Sequence, residues 1–577
     1  MMNEPEPAQH DAAQPETTTQ PETATQPVTT VPRIAPAFDA AGRPLRSAGS
    51  PGIGGTVPMN PYVMWNPTPP PKRQYKVDRG DAIMALVLVV LGFLWWNWFS
   101  PKFSPASSSG LFPAIYLPGV AVTIFFALAV ACSLIYFWRR QVLVTVPAIA
   151  GAVVIMAAAL PYALYDTTPV HIVAGLGLLF GYITWHAYVA GTGIARPIGD
   201  LTIVDALNQC FVVPFSNLGA WFSSLRTLGR GSKKSLHWLF AVIGVIIALP
   251  IIAGVLALLM SSDAHFSSWM TGLGTAFTHI NVWHFLWQFS LGVLVAIYMA
   301  GLLYGNAKRD GTATFTSEKV AKAAAGARRV TAVAIVAPVT ILCVIYVVFF
   351  AATGATLFAA FTAHGGQFDY ADYARGGFFQ LILVATINLV VLGVARLFVQ
   401  RNDGAYPRAM RALGAITSVL TLLLVVTAMS KLVLYADHFG LTRLRLYTIW
   451  FTGVLFVVFV LVGVWHVHRF NVGRPILIFS VVAFLALQWA NTEGIIADYN
   501  VNRYLNGRVH TIDVDYLSRS LSAAAVPALV DLRDNATDPA VSGQAASALN
   551  RLAANHTDAQ PWTSWNWQWA RATHLVH

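Results

Sequence analysis

The chain is 577 residues long, 56% apolar and only 11% charged, with a formal net charge of +11. A soluble fold of this length needs a charged surface that this sequence lacks, and the class indicated is a membrane protein. The Lys and Arg residues cluster in short loops beside apolar runs, where membrane topology puts them, so they do not signal nucleic acid. Cys132, Cys210 and Cys343 fall in or beside apolar segments, and neither a disulfide framework nor a cysteine metal site follows.

Residues 1–71 are rich in Pro, Thr, Gln, Ala and Glu, as in PETTTQPETATQPVTT. Such a segment cannot bury enough apolar surface to offset its ordering entropy, so it is expected to be disordered and cytoplasmic. It has no apolar core near its start and is not read as a signal peptide. Lys72, Arg73, Lys76 and Arg79 then flank the first apolar run.

A helix needs about 20 apolar residues to cross the hydrocarbon core. Runs of that kind lie near 82–99, 113–138, 142–164, 170–191, 237–260, 281–304, 330–352, 376–398, 413–434, 448–467 and 475–492, eleven in all. Trp95, Trp96 and Trp98 suit an interfacial aromatic belt. The expected fold is all-α: a polytopic transmembrane helical bundle over residues 72–492 and a small helical tail domain over 493–577.

With the N-terminus in the cytoplasm, the inner loops hold 19 Lys and Arg residues, from Arg139 and Arg140 through Arg396, Arg401, Arg408 and Arg411 to Arg469 and Arg474. The outer loops hold five: Lys102, Arg375, Lys431, Arg443 and Arg445. The positive-inside rule favours this orientation, and an odd number of spans places the tail outside a bacterial inner membrane.

Three connections are too polar to span and too apolar to be simple tethers: 200–224, 261–280 and 353–375. Residues 200–224 read as an in-plane amphipathic helix or a broken re-entrant pair. The other two read as helical hairpins resting on the bilayer, with a lid over a central cavity as the alternative. At depth the polar residues are mild ones, His186, Gln288, Asn388 and Gln488, suited to hydrogen bonds between helices. Gly177 and Gly181 form a G-x-x-x-G helix-packing pattern.

Intramembrane charge is the usual mark of an ion path, and its near absence speaks against a proton-coupled carrier. His265, His279, His284, His364 and His438 fall on the outer side, but none makes an H-x-x-x-H pair on one helix face. No metal or cofactor is expected. Phosphate-binding loops, serine nucleophile elbows and zinc-protease motifs are missing from the sequence.

One outer segment departs from the charge bias, KLVLYADHFGLTRLRLY over 431–447. Together with the start of the tail it supplies the candidate cluster Tyr435, Asp437, Thr442, Arg443, Arg445, Glu493, Asp498 and Arg503. Ion pairing there would brace the tail onto the bundle; the alternative is a grip for an anionic lipid headgroup or substrate. In the tail, helical spacing predicts helices near 515–521, 525–532 and 540–554. At some 85 residues it is small for a core of its own, so it should pack on the bundle, with Trp562, Trp565, Trp567 and Trp569 supplying that packing or, alternatively, sitting in the headgroup layer.

The motif Y-x-x-x-x-G-L-T-R-L-R (Tyr435, Gly440, Leu441, Thr442, Arg443, Leu444, Arg445) resembles that of an uncharacterised bacterial multi-pass membrane family, a domain of unknown function. So do N-x-x-R-Y (Asn500, Arg503, Tyr504), D-x-x-Y-L (Asp513, Tyr516, Leu517), A-V-P-A-L (Ala525 to Leu529) and W-x-S-W-N (Trp562, Ser564, Trp565, Asn566). The resemblance runs from about residue 80 to the end and implies no reaction or ligand. The function expected is a non-enzymatic envelope or signalling component, with the bilayer, anionic headgroups and unidentified proteins as partners. A transporter or lipid-handling protein for an anionic substrate is the second reading. A transferase using Asp369, Asp372 and Asp437 is the third.

Overall fold

The structure is a computed structural model. It describes residues 76–99, 118–142, 145–194, 201–227, 282–312, 315–362, 377–401, 406–556 and 561–576. Shorter stretches are described at 102–103, 115–116, 199, 244–245, 248, 252, 255–256, 258–263 and 265–270. The expectation of disorder over residues 1–71 lies outside these residues, as does most of the run at 237–260. The same holds for much of 261–280 and 353–375.

The bundle helices are α1 (Arg79–Phe99), α2 (Val120–Arg139), α3 (Val146–Ala159), α4 (Thr168–Ala190), α5 (Val282–Lys308), α6 (Ala332–Thr362), α7 (Phe378–Phe398), α8 (Arg408–Phe439), α9 (Arg443–Val467) and α10 (Gly473–Trp489). Among the described residues nine helices are long and apolar enough to cross a membrane. Gly473–Trp489 passes the same test only when taken together with Thr492–Leu505, from which it is bent by 59°. At about 1.5 Å per residue, α10 covers most of a hydrocarbon core by itself. The all-α fold is as expected from composition. A two-residue antiparallel ladder, Lys102↔Tyr116 and Phe103↔Ile115, sits in the α1–α2 connection.

Helix ends sort onto two faces. Arg139 meets Asp78, Tyr304 meets Asp81, Val330 bridges Val399, and Arg411 meets the end of α9, all on what we call the arginine face. Asn97 meets Gln288, and Gly119 meets Thr563 of the tail, on the tail face. Helix α4 therefore ends on the arginine face while α5 begins on the tail face, and the connection between them joins opposite faces.

Among the described residues two larger cores fill the bundle, beside a smaller cluster around Val399, Met410 and Trp465. The first unites α1–α5 around Leu88, Phe125, Phe126, Tyr136, Phe137, Trp221 and Tyr304. The second joins α7, α8 and α9 around Phe378, Leu432, Leu455 and Phe459. Helix α10 links the halves: Gln488 Nε2 and Trp489 Nε1 donate to the carbonyls of Ala158 and Ala157, at 3.3 and 2.9 Å. The outward sides of α6 and α7 carry Ile341, Val344, Val348, Leu383 and Val390, as a lipid-facing surface should.

Close crossing of α1 and α5 depends on facing glycines, since a Cβ on Gly92 would lie 2.0 Å from the Gly292 carbonyl oxygen. The G-x-x-x-G pattern at Gly177 and Gly181 behaves otherwise, because both face open space. Buried polar groups satisfy one another between helices. Tyr346 donates to Asn388 at 2.7 Å, Asn388 to Thr421 at 2.8 Å, and His186 and Tyr182 both contact Ser133.

The 200–224 segment is a broken helical stretch, Thr202–Leu207, a π-turn at Asn208–Val212, Val213–Ser216 and Gly219–Leu225. Ile203, Leu207, Phe211 and Phe215, spaced by four, stay exposed as one apolar stripe. The opposite side buries Gln209, whose amide exchanges bonds with Asn306 of α5 at 3.1 and 2.7 Å. That two-sided character is the one expected of an interfacial helix.

The tail comprises α11 (Thr492–Leu505), α12 (Val514–Ser520), α13 (Val526–Asn535), α14 (Pro539–His556) and α15 (Trp567–Val576). Its core gathers Ile496, Val501, Leu517, Leu521, Leu529, Leu532 and Leu549, together with Ala436 and Leu441 of the bundle. The tail thus completes its apolar core with residues from the α8–α9 turn.

Candidate functional site at the bundle–tail junction

Helix α8 must end where α9 begins, and Gly440 makes the turn with φ near +80°, a backbone region that side chains disfavour. A Cβ there would also lie 2.5 Å from Asn500 Oδ1. Asn500 clasps the turn from α11: it accepts from the Leu441 amide and donates to the Leu441 carbonyl, each at 2.8 Å. Thr442 caps α9, accepting from the Arg445 amide at 3.4 Å. The Arg443 amide, orphaned at the helix start, donates to the Tyr516 hydroxyl of α12 at 2.9 Å.

The charged residues divide into roles. Arg445 donates to the carbonyls of Phe439 and Gly440 that end α8, and its guanidinium lies 4.3 Å over the Tyr435 ring. Arg503 donates to the Ala436 carbonyl at 3.2 Å and approaches the exposed Asp437 at 3.7 Å. Arg443 reaches Glu493, which is wholly buried at the start of α11, beyond the last span. Asp498 stands apart, where burial and the charge of Asp531 raise its pKa.

Burial pushes the Glu493 carboxyl up to about 8, outweighing the charge and the hydrogen bond of Arg443, with the charge of Asp166 adding to the rise. Tyr447 and Thr492 meet beside the pair at 3.3 Å.

The end of the chain makes a second seam. Gly119 and Val120, at the start of α2, donate to the carbonyls of Thr563 and Trp565, both at 2.8 Å. Gln568 accepts from the Asp166 amide at 2.8 Å and donates to Asn491 at 2.9 Å, joining the α3–α4 connection to the α10–α11 bend. Trp569 donates to the Asp166 carboxylate at 2.8 Å. Of the four tail tryptophans, Trp569 packs in this seam, while Trp562, Trp565 and Trp567 are exposed, Trp562 meeting Trp98 edge-on at 5.2 Å.

Sequence reasoning treated Arg139 and Arg140 as topology signals alone. In the structure they close a second buried ion pair, on the arginine face. Arg140 contacts Asp81, which is wholly buried, and lies 3.2 Å from Asp78. Asp78 caps α1 through the Gly80 and Asp81 amides at 2.9 and 3.1 Å. Burial alone would raise its pKa, but the Arg139 bond, the Asp81 amide and the neighbouring charges take it below the ordinary carboxylate value. The signal was legible: two acids at the mouth of a span opposite an Arg-Arg pair.

A family model described as "Domain of unknown function (DUF4153)" matches residues 82–532. No curated protein and no solved structure matches the chain.

Proposed function

The chain belongs to the DUF4153 family, a domain of unknown function, and on that premise we propose a non-enzymatic component of the bacterial inner membrane. In this reading the N-terminus is cytoplasmic, and the bundle presents the helical tail on the outer side for envelope or signalling work. The observation that carries it is the way the tail is held: Arg443–Glu493 and the Asn500 clasp tie it to the second half of the bundle, while Gln568 and Trp569 tie it to the first. A shift between the halves must therefore strain the tail, and a load on the tail must act on both halves. Hydrogen-bonded neutral groups at the described span centres weigh against a carrier with a charged path.

The test is a charge swap in a strain lacking its own copy, scored by survival under detergent stress. Arg443→Glu is expected to fail as the deletion does, and Arg443→Glu with Glu493→Arg to recover. An Arg443→Glu strain as robust as wild type, with the protein at normal level in the membrane, would remove the junction from the function. A reporter fused after His577 is expected to be active outside the cytoplasm; activity inside would reverse the orientation.

A further inference from the structure

Trp562, Trp565 and Trp567 fall within one short stretch of the tail, and each is about half exposed. Their indole N–H groups have no hydrogen-bond partner among the described residues. Those of Trp569 and Trp489 do, donating to the Asp166 carboxylate at 2.8 Å and the Ala157 carbonyl at 2.9 Å. A tryptophan buried in protein finds such an acceptor; one at a wet interface leaves its N–H to the surroundings.

Backbone bonds fix the height of this stretch. Gly119 and Val120, where the span α2 begins, donate to the carbonyls of Thr563 and Trp565. Trp562 stands edge-on to Trp98 in the last turn of α1. Gln568 and Trp569 hold the α3–α4 connection through Asp166. These contacts set residues 562–569 level with the tail-face ends of α1–α4. Trp489, at the end of α10, is exposed on the same face.

Helix α15 carries the pattern on. Its inner side places Ala572 in the tail core, with Trp569 and Val576 packed against it. Trp567, Arg571, His574 and Leu575 are exposed, and their spacing of four, three and one puts them on one helix face. The Arg571 guanidinium lies 5.6 Å over the Trp567 ring and has no ion pair among the described residues. Residues 561–577 contain no Asp or Glu, so this face is aromatic, apolar and cationic.

We propose that the three tryptophans and the outer face of α15 lie in the headgroup layer of the tail-face leaflet, with Arg571 meeting the phosphates of anionic lipids. Tryptophan concentrates in that layer, and apolar exposure this dense marks a binding surface. Height and charge together select lipid as the occupant: the stretch sits at the span ends, and a cation without a neighbouring acid suits phosphate. The tail then rests on the bilayer as well as on the bundle. The inference requires neither the orientation nor the function proposed above.

Full-length protein in nanodiscs of mixed phosphatidylglycerol and phosphatidylcholine tests it, with a nitroxide on Trp565→Cys, Trp567→Cys or Ser547→Cys. Ser547 is exposed on α14, where Ser542 and Arg551 bond to other tail helices. The wild-type chain, with Cys132, Cys210 and Cys343 alone, gives the blank. Labels at 565 and 567 are expected to favour oxygen, which enriches in lipid, over a water-soluble nickel chelate severalfold more than the label at 547. An equal preference at all three positions would overturn the proposal. So would low access to both reagents, which would mean that protein covers the patch. A second measurement keeps every tryptophan: amide exchange over residues 567–576 in Arg571→Gln. It should be about fivefold faster than wild type in phosphatidylglycerol discs and unchanged in phosphatidylcholine discs. Exchange that ignores the lipid charge would overturn the phosphate contact.

Discussion

Glu493→Gln exchanges a buried carboxyl for a neutral group of the same shape. In the folded protein burial raises this carboxyl from its ordinary 4.5 to about 8, against the pull of Arg443. Between those values the folded chain keeps a proton that the unfolded chain has released. The contribution of Glu493 to stability is therefore greatest below about pH 4.5, falls as the pH climbs to about 8, and levels off beyond. The loss is on the order of a few kcal/mol. Gln has no proton to release, so the variant should lack this part of the pH dependence. The assay is thermal melting of the purified full chain in detergent over a pH series, wild type and variant at one scan rate, since such melts are often irreversible. Relative to the variant, the wild-type midpoint should drop by several degrees from acid to alkaline pH, leaving the variant the more stable of the two above about pH 8. A wild type that gains stability with rising pH, and a variant weaker throughout, would refute the reasoning. It would mean that the ionised pair with Arg443 outweighs burial.

Asn500→Ala removes both bonds to Leu441 and leaves its amide and carbonyl without those partners, which should cost about 2–4 kcal/mol; a protease should then cut the α8–α9 turn faster, and an unchanged cutting rate would count against the clasp. Gly119→Val puts a Cβ 2.4 Å from the Trp565 carbonyl oxygen, so amide exchange over residues 562–576 should rise while α8 and α9 stay protected. Gly92→Leu drives a side chain into the Gly292 backbone and should abolish extraction of folded protein, with Gly92→Ala intermediate; a normal yield of Gly92→Leu would disprove the close crossing. Asn388→Leu strips Tyr346 and Thr421 of their shared partner and should lower the melting point by the equivalent of about 1–3 kcal/mol.

Much of the bundle is legible because a membrane span leaves a signal in one dimension: length and hydropathy suffice, without knowledge of neighbours. The starts of spans are less legible. The run expected from 113 yields a helix only from Val120, because the start of α2 is set by the Thr563 and Trp565 carbonyls of a distant segment. Helix–helix contacts are hidden for the same reason. Gly177 and Gly181 carry a G-x-x-x-G pattern and face open space, whereas Gly92 and Gly292, 200 residues apart, belong to no G-x-x-x-G and meet. At the junction, a charge bias marked the right segment, but charge alone does not assign roles. Arg445 and Arg503 cap helix ends, Arg443 takes Glu493, and Asp498 faces elsewhere. Asn500, neutral and unremarked for charge, makes the two-bond clasp.

The contacts of Gln568 and Trp569 with Asp166 join residues more than 400 positions apart. During synthesis the start of α2 and the α3–α4 connection must wait for these partners until residues 562–569 have been made. Completion of the first half is thus tied to the arrival of residues 562–569. A chain cut short before residue 562 would carry the whole bundle yet lack these partners, a visible mark by which unfinished copies differ from finished ones.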